Sequence, residues 1–141
     1  MYSVGDIVLL KYNSSGSLLW TQETGSSRYD QPYGVAVSAD GNIIYVTGSA
    51  YGSLNGQPYA GYGIDYHIIR MMLTCTVDDI FLLKYNSSGS LLWTRETGSY
   101  GYDFSSGVAV SADGNNIYVA GYTDASLNGQ PYATGGYGDL L

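Results

Sequence analysis

The chain has 141 residues, enough for one domain, and only 12% are charged, about half the usual quarter. Five Lys and Arg against twelve Asp and Glu give a net charge of −7, which argues against nucleic acid or an anionic membrane as partner, since both need basic patches. A single cysteine, Cys75, excludes an internal disulfide framework. A single histidine, His67, excludes a multi-histidine metal site, and no cofactor is expected.

No apolar run is long enough to predict a spanning helix, and the first residues show no signal peptide. Self-similarity dominates the chain. Residues 6–60 align without gaps to residues 79–133, and 42 of those 55 positions are identical. The expected organisation is a first repeat over 1–60, a non-repeat insertion over 61–78 and a second repeat over 79–134. The tail, 135–141, has the sequence of the start of a third copy.

Each unit reads as four strands. The first covers 6–12 (79–85 in the second copy), rich in Ile, Val and Leu, and ends in the turn cluster Asn13-Ser14-Ser15-Gly16. The second covers 17–24 and carries Leu18, Leu19 and Trp20. A Gly/Ser/Tyr loop over 25–33 follows, then a short third strand over 34–38. Asp40-Gly41 is a hairpin signal, read as a type I′ turn, before a fourth strand over 43–49. Ile7 and Leu9 alternate with Val8 and Leu10, and Ile44 and Val46 with Ile43 and Tyr45, so both faces are apolar and both need covering. Four-stranded antiparallel sheets stacked face to face satisfy this. The predicted class is all-β, two β-propeller blades forming a partial propeller or a ring of chains. A two-layer sandwich is the competing arrangement, and should show cleaner in/out alternation.

Three segments carry a family resemblance. They are Asp-Ile-Phe-Leu-Leu-Lys-Tyr-Asn-Ser-Ser-Gly-Ser-Leu-Leu-Trp-Thr (79–94), Val-Ala-Val-Ser-Ala-Asp-Gly-Asn (108–115) and Ile-Tyr-Val-Ala-Gly-Tyr-Thr (117–123). Together they resemble the bacterial β-propeller repeat known as SBBP. The resemblance covers both units and implies a repeat of secreted or cell-surface proteins, with no catalytic residues. The chain departs from the family in having two units and an insertion.

Residue by residue, chemistry is sparse. Asp40-Gly41-Asn42 and Asp113-Gly114-Asn115 lack the alternating oxygen ligands of a calcium loop. Trp20 and Trp93 read as core, and the Lys11 and Lys84 stems as packed against neighbouring blades. Glu23 and Glu96 occupy equivalent repeat positions. Equivalent environments would deny them the division of labour that a catalytic pair needs. His67 and Cys75 lie in the insertion, where a linker with one buried thiol competes with a nucleophile pair.

The copies differ chiefly at 27–33 against 100–106 and at 49–52 against 122–125. In an up-and-down sheet these loops share one rim. That rim holds Tyr29, Asp30, Tyr33 and Tyr51, then Tyr100, Tyr102, Asp103, Phe104, Tyr122 and Asp124, with Tyr59 and Tyr132 in the same connections. Tyr beside small polar residues suits glycan or protein ligands. Variation gathered on one rim is what a binding scaffold shows, and neutral drift in long loops gives the same pattern. The expectation is a non-catalytic binding or adhesion scaffold. The alternative is a purely structural self-assembling unit, with a glycosidase fragment a distant third. Self-association of three or four chains is expected, because two blades leave sheet faces uncovered.

Overall fold

A computed structural model describes residues 5–60 and 77–131. Among these there are eight strands and no helix: β1 (Ile7–Tyr12), β2 (Leu18–Thr24), β3 (Asp30–Val37), β4 (Ile43–Ala50), β5 (Asp79–Asn86), β6 (Leu91–Thr97), β7 (Asp103–Val110) and β8 (Ile117–Thr123). All pairings are antiparallel. The third strand of each unit is longer than the sequence suggests and takes in Pro32. It sits on an edge, with a register shift between Pro32 and Gly34, as a residue lacking an N–H requires.

The strands group differently from the sequence units. The four-stranded sheet is β3-β4-β5-β6, flanked by the two-stranded sheets β1-β2 and β7-β8. One complete blade therefore takes its inner hairpin from the first unit and its outer hairpin from the second. Half-blades remain at both ends. The expected antiparallel blade sheets are present, but neither unit forms a sheet by itself. The physical reason lies in the connections. Five residues between β2 and β3 carry the chain into the next sheet, while β5 pairs with β4 despite its distance along the chain. Closing a longer loop costs little extra entropy. The insertion is undescribed over 61–76, as is the tail over 135–141, so His67 and Cys75 lie outside the described residues.

The hairpin turns depart from type I′. Gly41 and Gly16 have φ of 74° and 82°, whereas Asp40 is not in the left-handed region. Asp40 Oδ1 accepts hydrogen bonds from the Ser38 hydroxyl at 2.6 Å and the Asn42 N–H at 3.1 Å. These local bonds hold Asp40 in the ordinary region and leave only the glycine to reverse the chain.

Period-two alternation divides the blade's side chains. Ile44 and Val46 lie opposite Tyr85 and Leu83 on one face, and Gly48 lies opposite Phe81. Ile7, with Leu9 and Trp20 partly buried, covers this face from the first half-blade, and Ala50 and Leu54 complete the core. Gly48 is required here, because a Cβ would stand 2.1 Å from the Gln31 carbonyl and 2.6 Å from the Phe81 ring. The opposite face carries Thr47 and Ser49, which meet β7 through Thr47 Oγ1 to Ser105 Oγ at 3.0 Å and Ser49 Oγ to the Asp103 carbonyl at 3.3 Å.

Trp20 is half-buried at this first junction rather than sunk in the core. Its Nε1 donates to the Ser87 carbonyl at 3.2 Å, and Lys11 Nζ donates to the same oxygen at 2.9 Å. The lysine head thus ends on the neighbouring blade's turn. Trp93 is also half-buried, tilted against Tyr45, with Lys84 Nζ 5.7 Å from both rings.

Candidate functional site: a tyrosine-rich rim

The connections 25–29, 51–60 and 98–102 meet at one end of the strands, and the tight turns lie at the other. The Tyr51 N–H donates to the Tyr29 carbonyl at 3.1 Å, and the Asp124 N–H to the Tyr102 carbonyl at 3.2 Å, so both units tie these loops together in the same way. Side chains on this common backbone differ. In the first unit Tyr51 meets Tyr29 edge-on, centroids 5.9 Å apart. In the second, Asp124 Oδ1 accepts the Tyr102 N–H at 2.7 Å.

Asp78, a buried residue at the head of β5, acts electrostatically on Tyr33 and Tyr51, and Tyr51 packs against Tyr29. Burial, then the Asp78 charge and neighbouring tyrosines, raise the Tyr51 and Tyr33 phenols above their ordinary value. Burial, reinforced by the Asp103 and Asp79 charges, lifts Asp78 to about 6, opposed by its hydrogen bond with Ser49. Tyr29, Tyr33 and Tyr102 nonetheless remain exposed to solvent. Tyr122 lies apart on β8, stacked on Phe104 with centroids 5.0 Å apart, and Tyr100 is exposed in the 98–102 loop. Tyr132 lies outside the described residues.

Asp30 and Asp103 do not reach the rim surface. Both are buried, and their Oδ2 atoms accept the backbone N–H groups of Ser26 and Ser99, closing the loops that precede β3 and β7. Burial holds the Asp30 carboxyl above its usual range despite the Ser26 bonds. Tyr59 is half-buried and donates its hydroxyl to the Val77 carbonyl, fastening the connection to the head of β5. Its phenol is raised, first by burial. These residues shape the rim rather than offer contacts.

Glu96 departs from the environment that its repeat position led the sequence to predict. It is half-buried, and its Oε2 accepts the Leu54 N–H at 2.9 Å while Oε1 has no partner among the described residues. Burial raises this carboxyl to about 7, with the Asp79 and Asp30 charges adding to the effect. Glu23, at the equivalent position, is exposed. Repeat equivalence therefore does not give equal environments, because among the described residues no inner hairpin pairs with β1-β2 as β3-β4 does with β5-β6. Beside Glu96, Asn55 donates to Thr94 Oγ1 at 2.9 Å and accepts from Thr24 Oγ1 at 3.3 Å, bridging two sheets from a left-handed φ of 51°. The Ser-Leu-Asn-Gly sequence kept in both units was the available signal for this latch. Among the described residues, no three or more His, Cys, Asp or Glu side chains converge as a metal site would.

Stacked antiparallel blade sheets, with loops at one rim and tight turns at the other, define a partial β-propeller. A family model of the SBBP β-propeller repeat matches residues 19–55 and 92–128, and the chain belongs to this family. It is 24% identical over 126 residues to the WD repeat-containing protein L264 of Acanthamoeba polyphaga mimivirus, a match covering 82% of the chain and 9% of that protein. It is 30% identical over 124 residues to the regulatory protein FlaEY of Caulobacter vibrioides, covering 88% of the chain and 12% of that protein. The chain thus spans about a tenth of the length of these relatives.

Proposed function

We propose that this repeat scaffold is a non-catalytic binding module whose tyrosine rim takes a glycan or a protein loop, displayed outside the cell or on its surface. The observation that carries the reading is the exposure of Tyr29, Tyr33 and Tyr102, with Tyr51 packed on Tyr29, in segments where two otherwise near-identical units diverge. Aromatic rings supply rigid contact area at low entropic cost, and phenolic hydroxyls supply hydrogen bonds at its margin. Repeat-protein relatives support a scaffold role. A thermal-shift screen against neutral oligosaccharides, repeated with Tyr33→Ala and Tyr51→Ala, tests the reading. A ligand should raise the melting temperature of the parent and not of the variants. If no sugar shifts the parent, the glycan reading falls. If a sugar shifts parent and variants equally, the rim is not the site.

A further inference from the structure

The two rim loops share a backbone frame and fill it in reciprocal ways. The Arg28 N–H donates to Ser26 Oγ at 3.0 Å and the Gly101 N–H to Ser99 Oγ at 3.1 Å, so residues 28 and 101 hold equivalent places. In the first unit a long side chain stands at 28 and none at 52. A Cβ added to Gly52 would lie 3.4 Å from Arg28 Cδ and 3.5 Å from its Cγ, so the arginine stem rests on that glycine. In the second unit the sizes are exchanged. Ala125 stands in place of Gly52 and Gly101 in place of Arg28, and a Cβ added to Gly101 would run into Asp124 Oδ1. Charge is exchanged too. Arg28 and Tyr51 in one loop pair correspond to Gly101 and Asp124 in the other.

Among the described residues Arg28 is the cation whose head group has no hydrogen bond, ion pair or ring partner. Lys11 ends on the Ser87 carbonyl, Lys84 lies by Tyr45 and Trp93, and Arg95 donates to the Thr94 carbonyl and lies 5.4 Å from the Trp93 ring. Nor is Arg28 taken up by the buried acids. Burial raises the Asp30, Asp78 and Glu96 carboxyls, and the only charges acting on them are other carboxylates. Arg28 is exposed, and so is Tyr29 beside it, the ring that meets Tyr51 edge-on. A cation is thus held by its stem, next to an aromatic surface, with its head group unused.

We propose that this corner of the first unit's rim takes a uronate residue of an acidic glycan, with Arg28 donating to the sugar's carboxylate and Tyr29 offering its ring to the sugar. The inference rests on the reading of the rim as a glycan site and adds the ligand's charge to it. A guanidinium fork matches a carboxylate through two parallel hydrogen bonds. One free cation answers one carboxylate. A polyanionic peptide would bring several charges to a chain of net charge −7 and find a single partner. The second unit, with Gly101 and Asp124 at the equivalent places, has no such donor.

An array of paired glycans tests this, each neutral oligosaccharide beside the same chain ended by glucuronate or galacturonate, with a Glu-rich peptide as a further probe and titration of the best pair. Uronate members should bind about tenfold more tightly than their neutral twins at low salt, and the ratio should shrink as salt is added. Arg28→Gln should bring the ratio to about one at the parent's melting temperature, and Tyr29→Ala should weaken both members of a pair. Twins that bind equally overturn the inference and leave the rim reading standing. If no glycan binds, both fall. A preference that survives Arg28→Gln, pairs indifferent to Tyr29→Ala, or a peptide that binds as tightly as the uronates also overturns it.

Discussion

Glu96 makes stability depend on pH in a direction opposite to that of an ion-paired carboxylate. Its carboxyl titrates near 7 in the folded chain against an ordinary 4.5, because burial penalises the charged form. Between these values the native state holds a proton that the unfolded chain has released, so stability falls as pH rises. The contribution is complete below about pH 4.5 and lost by about pH 7 to 8. A difference of this size is worth about 3 kcal/mol unscreened. The side chain is only half-buried, and solvent screening reduces the expectation to about 1–2 kcal/mol. Asp78, raised to about 6 from 3.8 by burial, adds a loss in the same direction over a lower window. Glu96→Gln keeps an acceptor for the Leu54 N–H and removes the charge. At pH 8 it should melt about 3–8 °C above the parent, and at pH 5 the two should nearly coincide. Circular dichroism melts across this range measure both effects. A parent whose melting temperature is flat or rises from pH 5 to 8, or a Glu96→Gln variant less stable at pH 8, would refute the argument.

Three further outcomes follow from packing. Phe81 is fully buried beneath Gly48, so Phe81→Ala should cost about 3–5 kcal/mol in a denaturant melt, and Gly48→Ala should disrupt the sheet because its Cβ meets the Gln31 carbonyl. Asn55→Ala removes a two-sheet bridge and strains a left-handed φ, and should cost about 1–2 kcal/mol, with Asn55→Gly less harmful on the backbone count. Trp20→Phe deletes the bond to the Ser87 carbonyl, so amide exchange should accelerate in β1 and β2 before it does in β4 and β5.

Strands, turns and the doubly apolar faces were legible in the sequence because apolar residues fill both alternating sets in Ile7 to Leu10 and Ile43 to Val46, although the structure buries both sets only in the second and leaves Val8 and Leu10 exposed. The strand partners were not. Nothing in the order of residues tells β2 to leave its unit's next strand and β4 to pair across the insertion. That choice depends on how neighbouring sheets meet, with Phe81 and Ile7 in one core on one side and Thr47 hydrogen-bonded to Ser105 on the other. The rim's location followed from strand direction alone. Within it, Asp30 and Asp103 look like contact residues in sequence, yet each carboxylate turns back to the serine N–H four residues earlier. The Ser-x-x-x-Asp spacing shared by both units was the visible trace of that role. Asp78 was missed, and Glu96 was expected to match Glu23, because their character comes from neighbours far along the chain.

The blade shared between units bears on how an array of such repeats would carry load. Pulling on its ends cannot unravel one unit at a time, since each unit's inner hairpin is stitched to the next unit's outer hairpin along eight residue pairs from Ile43 with Asn86 to Ala50 with Asp79. Extracting a unit tears the blades on both sides of it. Resistance to stretching thus belongs to neighbouring units jointly, and a break in one leaves raw edges shaped to re-zip with the strand they lost.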